Sequence, residues 1–393
     1  MSGEVMEERR RFIEAEFVDR YGQRPNIWTR APGRVDLMGS HTDYNMGFVM
    51  TMSIDRDTWI AACPCEDRTV TIHSCNTPGG ATFSLSDIQR DEAVPWTNYV
   101  RGVAAAMKSS GRNLHGFKGL VHSTIPFGSG LSSSAALEMA AALIFLAVSD
   151  LAIDPVDLAL IGQRAENDFV GVSTGILDQY SSMMGRQGCA ILLDCRQLTD
   201  KIVPVNPALR VVICDTKLER NLVGSEYDER RAQCEAGVRL LRSYYPDITA
   251  LRDVSTEMLF KHQQDLHDVI GKRCQFVIEE NQRVLDLQEI LPNGHLAELG
   301  SLFSASYQGA RDLYEICSPS MESMMSAMST APGVVASRQA GAGFGGSMVS
   351  LVKAECVEQF AGHVVETYTK NTAVAPAVFP VEPADGASVL EWD

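Results

Sequence analysis

The chain has 393 residues, 45% of them hydrophobic and 21% charged, with 34 basic against 50 acidic side chains and a formal net charge of −16. That length exceeds what a single core usually holds, so two packed domains are expected. The acidic balance, with no basic cluster longer than Arg9-Arg10-Arg11, argues against nucleic acid as a partner.

Residues 6–20 set Phe12, Ala15, Phe17 and Val18 among charges, the spacing of an amphipathic helix. The first twenty residues hold no apolar stretch of the secretory kind, so a cytoplasmic location is expected. Residues 27–31 lead to Pro32-Gly33, which reads as a turn. Short β-like runs follow at 47–50, 58–62, 70–73 and 81–85, and helical spacing at 96–107. The ten cysteines show no metal-knuckle spacing, and several sit in apolar runs, so free reduced thiols are expected.

The run 120–125 reads as a strand feeding Pro126-Phe127-Gly128-Ser129-Gly130-Leu131-Ser132-Ser133-Ser134. Glycines around one residue let the backbone turn tightly and approach a ligand. An apolar run from 135 to 148, interrupted by Glu138, then predicts a buried helix. A glycine-rich turn opening a helix presents free N–H groups and a positive dipole end, which suits phosphate. The loop is not of the Walker type, since no G-x-x-x-x-G-K-[ST] occurs. A plain helix-capping loop is the alternative. The apolar run ends at Ser149-Asp150, too early to span a bilayer, so no membrane partner is expected.

Residues 155–171 predict a helix, and 189–194 and 209–215 strands. Pro204 and Pro207 bracket a polar connection at 195–208, which divides the chain into domains 1–205 and 206–393. Helices are expected at 224–243, 268–290, 297–317 and 321–328, with strands at 334–337 and 348–352 flanking the glycine-rich 341–346.

Four of these segments together resemble the GHMP small-molecule kinases, and within them the galactokinase family. They are Arg30-Ala31-Pro32-Gly33-Arg34-Val35-Asp36-Leu37-Met38-Gly39-Ser40-His41-Thr42-Asp43-Tyr44-Asn45, the Gly/Ser loop, the segment 169–179 with Ser173 and Asp178, and 341–346. Gly224-Ser225-Glu226-Tyr227 and 311–315 add to the match, which covers roughly 8–360. The resemblance implies a two-domain α+β fold of mixed sheets and helices with the active site in the interdomain cleft. It implies ATP-dependent, magnesium-dependent phosphorylation of a monosaccharide at its anomeric hydroxyl, by a monomer or weak homodimer.

By the same resemblance Asp178 takes the proton of the attacking hydroxyl, and Arg34 steadies both that carboxylate and the transferring phosphate. The plainer readings are an Asp capping a helix that begins at Gln179, and a turn arginine paired with a surface acid. Ser134 and Glu166 match the magnesium ligands, hard oxygen donors both; Glu166 as a solvated helix-face acid is the alternative. Gly128, Ser129, Gly130, Leu131, Ser132, Ser133 and Ser134 match the ATP loop. Ser40, His41, Asp43 and Tyr227 match sugar-contacting positions.

Ser40 is a departure, because the family carries there a Glu that accepts a hydrogen bond from the C6 hydroxyl of galactose. Serine is shorter and uncharged. Galactose is the first expectation, with galacturonate and L-arabinose as alternatives. A non-catalytic sugar sensor is a more remote one, disfavoured by the complete Ser132-Ser133-Ser134-Ala135-Ala136 run.

Overall fold

The computed structural model of the chain describes residues 3–172, 174–218 and 223–392; Ser173 of the aspartate segment lies outside the described residues, and the side chains at 223–225, including those of Gly224 and Ser225, are not described. A first, eight-stranded sheet is built from β1 (Ile27–Met38), β2 (Phe48–Pro64), β3 (Thr69–Ser74), β4 (Gly80–Ser84), β5 (Phe117–Ser123), β6 (Cys189–Asp194) and β7 (Thr199–Pro204). A second, four-stranded sheet holds β8 (Leu209–Asp215), β9 (Val334–Gln339), β10 (Ser347–Lys353) and β11 (Ala377–Val381), and the chain then returns to the first sheet as β12 (Ser388–Val389). The orders are β12-β1-β2-β5-β3-β4, with β6 and β7 attached beside β2, and β11-β8-β10-β9.

The helices are α1 (Gly3–Tyr21), α2 (Thr97–Ser109), α3 (Ser133–Ser149), α4 (Pro155–Arg164), α5 (Leu177–Met184), α6 (Val223–Arg242), α7 (Thr256–Lys261), α8 (Asp268–Asn293), α9 (Leu296–Asp312), α10 (Pro319–Ser329) and α11 (Val357–Thr372). Among the described residues no helix is long and apolar enough to cross a membrane. Strand alternation sets their sides. Trp28 packs with Ile13 and Phe17 of α1, whereas the next residue, Thr29, donates to the Ala140 carbonyl of α3, so the two helices cover opposite faces of β1.

The two sheets share one core. Val211 and Ile213 of β8 and Val349 and Leu351 of β10 belong to the same apolar cluster as Val35, Met50 and Ile191, with Val284, Leu287 and Leu291 of α8 among them. The alternate residues Val212, Cys214, Met348 and Val352 face a separate cluster under α10 and α11. A buried ion pair joins the layers. Arg338 of β9 donates from Nη2 to Glu280 Oε1 of α8 at 3.1 Å, and both side chains are fully enclosed. Glu280 also accepts from the Gly39 amide just past β1 (3.1 Å) and from Arg283 (2.7 Å).

Three expectations fail for identifiable reasons. Pro32-Gly33 is not a turn: β1 runs through it, absorbing the irregularity as a register shift between Pro32 and Arg34. A Cβ on Gly33 would stand 2.6 Å from the Leu131 carbonyl, so the glycine serves close approach of the Gly/Ser loop rather than chain reversal. The runs 47–50 and 58–62 are one strand, β2, whose first part pairs with β6 and whose last part pairs with β5. The connection 195–208 contains β7, an edge strand beside β6 with Pro204 as its last residue, where a missing N–H is tolerated.

Removing one partner of a buried ion pair leaves the other charge unpaired, at a cost of about 3–5 kcal/mol. Arg338→Leu is therefore expected to lower the unfolding free energy in urea by about that amount. A loss below about 1 kcal/mol would show the pair to be dispensable.

Candidate active site

The end of β5 and the start of α3 carry the Gly/Ser loop. Gly128 and Gly130 adopt positive φ (72° and 79°), and Ser132 is held left-handed at φ 58° as the residue before α3. The first backbone bond of the helix runs from the Ala136 amide to the Ser132 carbonyl, so the amides of residues 133–135 open the helix without intrahelical partners. Gly128, Gly130, Ser132, Ser133 and Ser134 border a cavity of about 490 Å³ together with Arg34, Asp178 and Tyr227. Two members of the predicted loop point elsewhere. Ser129 is buried and donates to the Pro126 carbonyl, and the Leu131 side chain is buried in the core while its carbonyl accepts from the Arg34 amide.

Asp178 occupies the first turn of α5, which begins at Leu177, one residue before it and two before the predicted start. Its Oδ1 accepts from Arg34 Nε at 2.8 Å and lies 2.6 Å from Nη2, and its Oδ2 accepts from Ser132 Oγ at 2.6 Å. Arg34 Nη1 donates to the Gly130 carbonyl at 2.7 Å. One guanidinium thus clasps the carboxylate and the loop together. The contact of Ser132 with Asp178 was not foreseen, since nothing in the spacing of residues 132 and 178 signals it.

A smaller cavity of about 90 Å³ continues from Asp178 to Asp36, Ser40, His41 and Asp43. Asp43 sits in a single helical turn, Asp43–Asn45, beneath Gly175. A Cβ on Gly175 would fall 1.8 Å from Asp43 Oδ2, so the glycine is what admits this carboxylate. Burial pushes Asp43 up to about 6, helped by the Asp178 and Asp36 charges and opposed by the Tyr44 amide and Arg34. His41 is buried with both ring nitrogens engaged: Nε2 meets the Ala342 carbonyl and Nδ1 meets Tyr44 Oη, each at 2.8 Å. A carbonyl only accepts, so Nε2 carries the proton and Nδ1 accepts from Tyr44. Tyr44 continues to Tyr314 (2.7 Å) and Tyr314 to Cys234 (3.2 Å). Tyr227 of α6 stacks obliquely on His41, ring centroids 5.2 Å apart, and walls both cavities.

Ser40 is held inside the protein. It is 2% exposed, and its Oγ has Asp36 Oδ2 at 2.9 Å, the Gly341 carbonyl at 3.0 Å and Arg338 Nη2 at 2.8 Å. Asp36 and the Gly341 carbonyl share its one proton and Arg338 takes one of its two lone pairs, so a single lone pair remains. Ser40 thus braces Asp36, Gly341 and Arg338 while still bordering the smaller cavity. Asp36, which sequence reasoning passed over, has one oxygen on this hydroxyl and the other, Oδ1, without a partner. Burial raises Asp36 above the usual carboxylate range against the pull of Arg338, Arg34 and Ser40.

Glu166 is buried in a π-helical stretch, Ala165–Val170, that breaks the predicted 155–171 helix after Arg164. It is not a solvated helix-face acid. Its Oε2 accepts from Gln179 Nε2 (2.8 Å) and Thr174 Oγ1 (3.0 Å). Gln179 gives its other hydrogen to the enclosed Glu138 (2.9 Å), the one polar residue of the apolar run. Burial raises both acids, with the Glu166 charge adding to the shift in Glu138 and the Asp178 charge to that in Glu166, while hydrogen bonds from Gln179, Thr174 and Ser134 ease the charge on Glu166. A carboxylate and a hydroxyl, Glu166 and Ser134, at the mouth of α3 form a hard-oxygen set that suits magnesium.

Comparison with known proteins places the chain in a family. A family model for the galactokinase galactose-binding signature matches residues 15–64, and one for the GHMP kinases N terminal domain matches 98–186. The chain is similar to the galactokinase of Roseiflexus sp. (strain RS-1), 41% identical over 95% of both chains, and to that of Chloroflexus aggregans, 41% identical over 92% of both. Among solved structures it resembles Lactococcus lactis galactokinase complexed with galactose, at 31% identity and a TM-score of 0.92, covering 97% of this chain and 99% of that one. A mevalonate kinase structure shares the fold, with a TM-score of 0.61 at 13% identity.

The histidine at the cleft wall can be tested without ligand. Burial lowers His41 from its ordinary 6.5 to about 4, so between those values the unfolded chain binds a proton that the fold refuses. Stability from this group is present above pH 6.5 and is lost as pH falls toward 4. Asn tolerates the positive φ of His41 (64°). The stability difference between wild type and His41→Asn is expected to shrink by on the order of 2–3 kcal/mol across that window in urea titrations. A constant difference would contradict the assignment.

Proposed function

The chain belongs to the galactokinase family of GHMP kinases, and on that premise we propose that it transfers the γ-phosphoryl group of ATP to the anomeric hydroxyl of galactose. The observation that carries this reading is the clasp of Arg34 on Asp178 beside Ser132, at the junction of a larger cavity bordered by the Gly/Ser loop and a smaller acid-lined one. Phosphoryl transfer is largely positioning and charge stabilisation, which needs a nucleophile, a base and a phosphate cradle in one place.

In this reading the amides opening α3 and the hydroxyls of Ser133 and Ser134 receive the phosphates, whose negative charge the helix terminus favours. The sugar lies in the smaller cavity with Asp43 accepting hydrogen bonds from ring hydroxyls. The C1 oxygen attacks phosphorus, its proton passes to Asp178, and ADP leaves. Arg34 holds Asp178 toward the loop and offers positive charge to the equatorial oxygens. Ser132 releases its bond to Asp178 Oδ2 as the sugar hydroxyl takes that place. Ser134 and Glu166 would hold Mg²⁺, which when bound neutralises charge on the phosphate oxygens. Gln179 and Thr174 fix the orientation of Glu166. Residues 1–205 supply the loop, base and metal ligands, and 206–393 close the cleft with Tyr227, Gly341 and Ala342.

The test is release of ADP on mixing protein, Mg-ATP and galactose, with the product phosphorylated at C1. Asp178→Asn is expected to lower kcat by about 10²–10⁴-fold with the KM for ATP near wild type; unchanged turnover would remove Asp178 from the reaction. Gly175→Ala should displace Asp43 and raise the galactose KM by on the order of tenfold or more, while the KM for ATP holds. Equal shifts in both constants would point to general distortion instead.

A further inference from the structure

The smaller cavity has a chemistry that the assigned residues do not exhaust. β1 places Arg34 and Asp36 on one face of the strand, two residues apart, so Asp36 lies deeper in the cleft than the clasp on Asp178. Around this cavity most polar groups already have protein partners. Arg34 is held by Asp178 and the Gly130 carbonyl, His41 by Tyr44 and the Ala342 carbonyl, and Ser40 by its three neighbours. Asp36 differs, because its buried Oδ1 has no hydrogen-bond partner among the described residues. A buried acceptor left unpaired costs about 1–3 kcal/mol, which a ligand hydroxyl donating to it would relieve.

We propose that Asp36 is a specificity-determining residue whose Oδ1 accepts a hydrogen bond from the sugar at the end remote from the reacting hydroxyl, and that it restricts the substrate to neutral sugars. The inference rests on the sugar-kinase reading above and deepens it. Its second half follows from charge. The cavity presents Asp36, Asp43 and Asp178 against a single lining guanidinium, Arg34, which Asp178 already holds. Arg338 stands behind Ser40, outside the cavity lining, and its charge is shared between Glu280 at 3.1 Å and Asp36 Oδ2 at 3.7 Å. The low polarity of the site already lifts Asp36 and Asp43 above the usual carboxylate range, and a further carboxylate on the ligand would add to that repulsion. A uronic acid is therefore turned away, although position 40 carries no charge.

The experiment measures steady-state constants of the full-length protein with galactose, L-arabinose and galacturonate, for wild type and for the nearly isosteric Asp36→Asn. Wild type is expected to prefer both neutral sugars to galacturonate. Asp36→Asn should raise the galactose KM about tenfold, leave the KM for ATP and the melting temperature near wild type, and increase galacturonate use relative to galactose. Binding of galactose measured by calorimetry without nucleotide should weaken by the same factor. Preference of the wild type for galacturonate, or an unchanged galactose KM in Asp36→Asn, overturns the inference while leaving the kinase reading intact. Absence of turnover with every sugar overturns the kinase reading and this inference with it.

Discussion

The cleft depends on a guanidinium that never meets solvent. Arg338 reaches from the second sheet to Glu280 on α8, and Glu280 in turn fixes the amide of Gly39 at the end of β1. In a low-dielectric interior such a pair needs further partners, and Ser306, Arg283 and Ser40 supply several, while Arg338 Nη1 makes no hydrogen bond among the described residues and faces Asp36 Oδ2 at 3.7 Å. Gly39, Asp36 and Gly341 are thereby tied, through Glu280 or Ser40, to one charge. The strand bearing Arg34, the turn bearing Asp43 and the glycine segment bearing Gly341 hold fixed relative positions because of it.

On that floor the charges separate into two ends. The helix mouth and Arg34 gather positive potential where phosphates would lie, while Asp43 and Asp36 gather acceptors where hydroxyls would lie. Asp178 stands at the boundary, with one oxygen toward Arg34 and the other toward the loop. The division suits a reaction that joins a polyanion to a neutral polyol, and it keeps the acids of the sugar side from the phosphate side. The second pair of acids, Glu138 and Glu166, shares one amide, so both carboxylates accept from Gln179 Nε2.

What could be read from the sequence was what is local in the chain. The Gly/Ser loop, its strand and its helix are contiguous, and Asp178 sits in a recognisable segment, so both were found. Asp36 was missed because what sets it apart is an unpaired oxygen and an ion pair with Arg338, some three hundred residues away. Gly175 looked like a turn glycine, yet its function is to leave room for a carboxylate from another loop. Ser40 stands out by its position, but its bracing of Asp36, Gly341 and Arg338 depends on contacts far apart in the chain. Pro32-Gly33 misled for the opposite reason, since a strong local turn signal was overridden by pairing with β2 on one side and the loop carbonyl on the other.

The return of β12 has a consequence for how the protein comes into being. Thr29 and Arg30 pair with Val389 and Ser388, and Trp392 packs against Trp28 at 5.9 Å. Until residues 388–389 have been synthesised, the outer side of β1 at Thr29 and Arg30 is an open edge with unpaired amides and carbonyls. The first sheet thus gains its border strand only after the whole second sheet has been made, and a molecule cut before residue 388 offers a sticky margin to its neighbours.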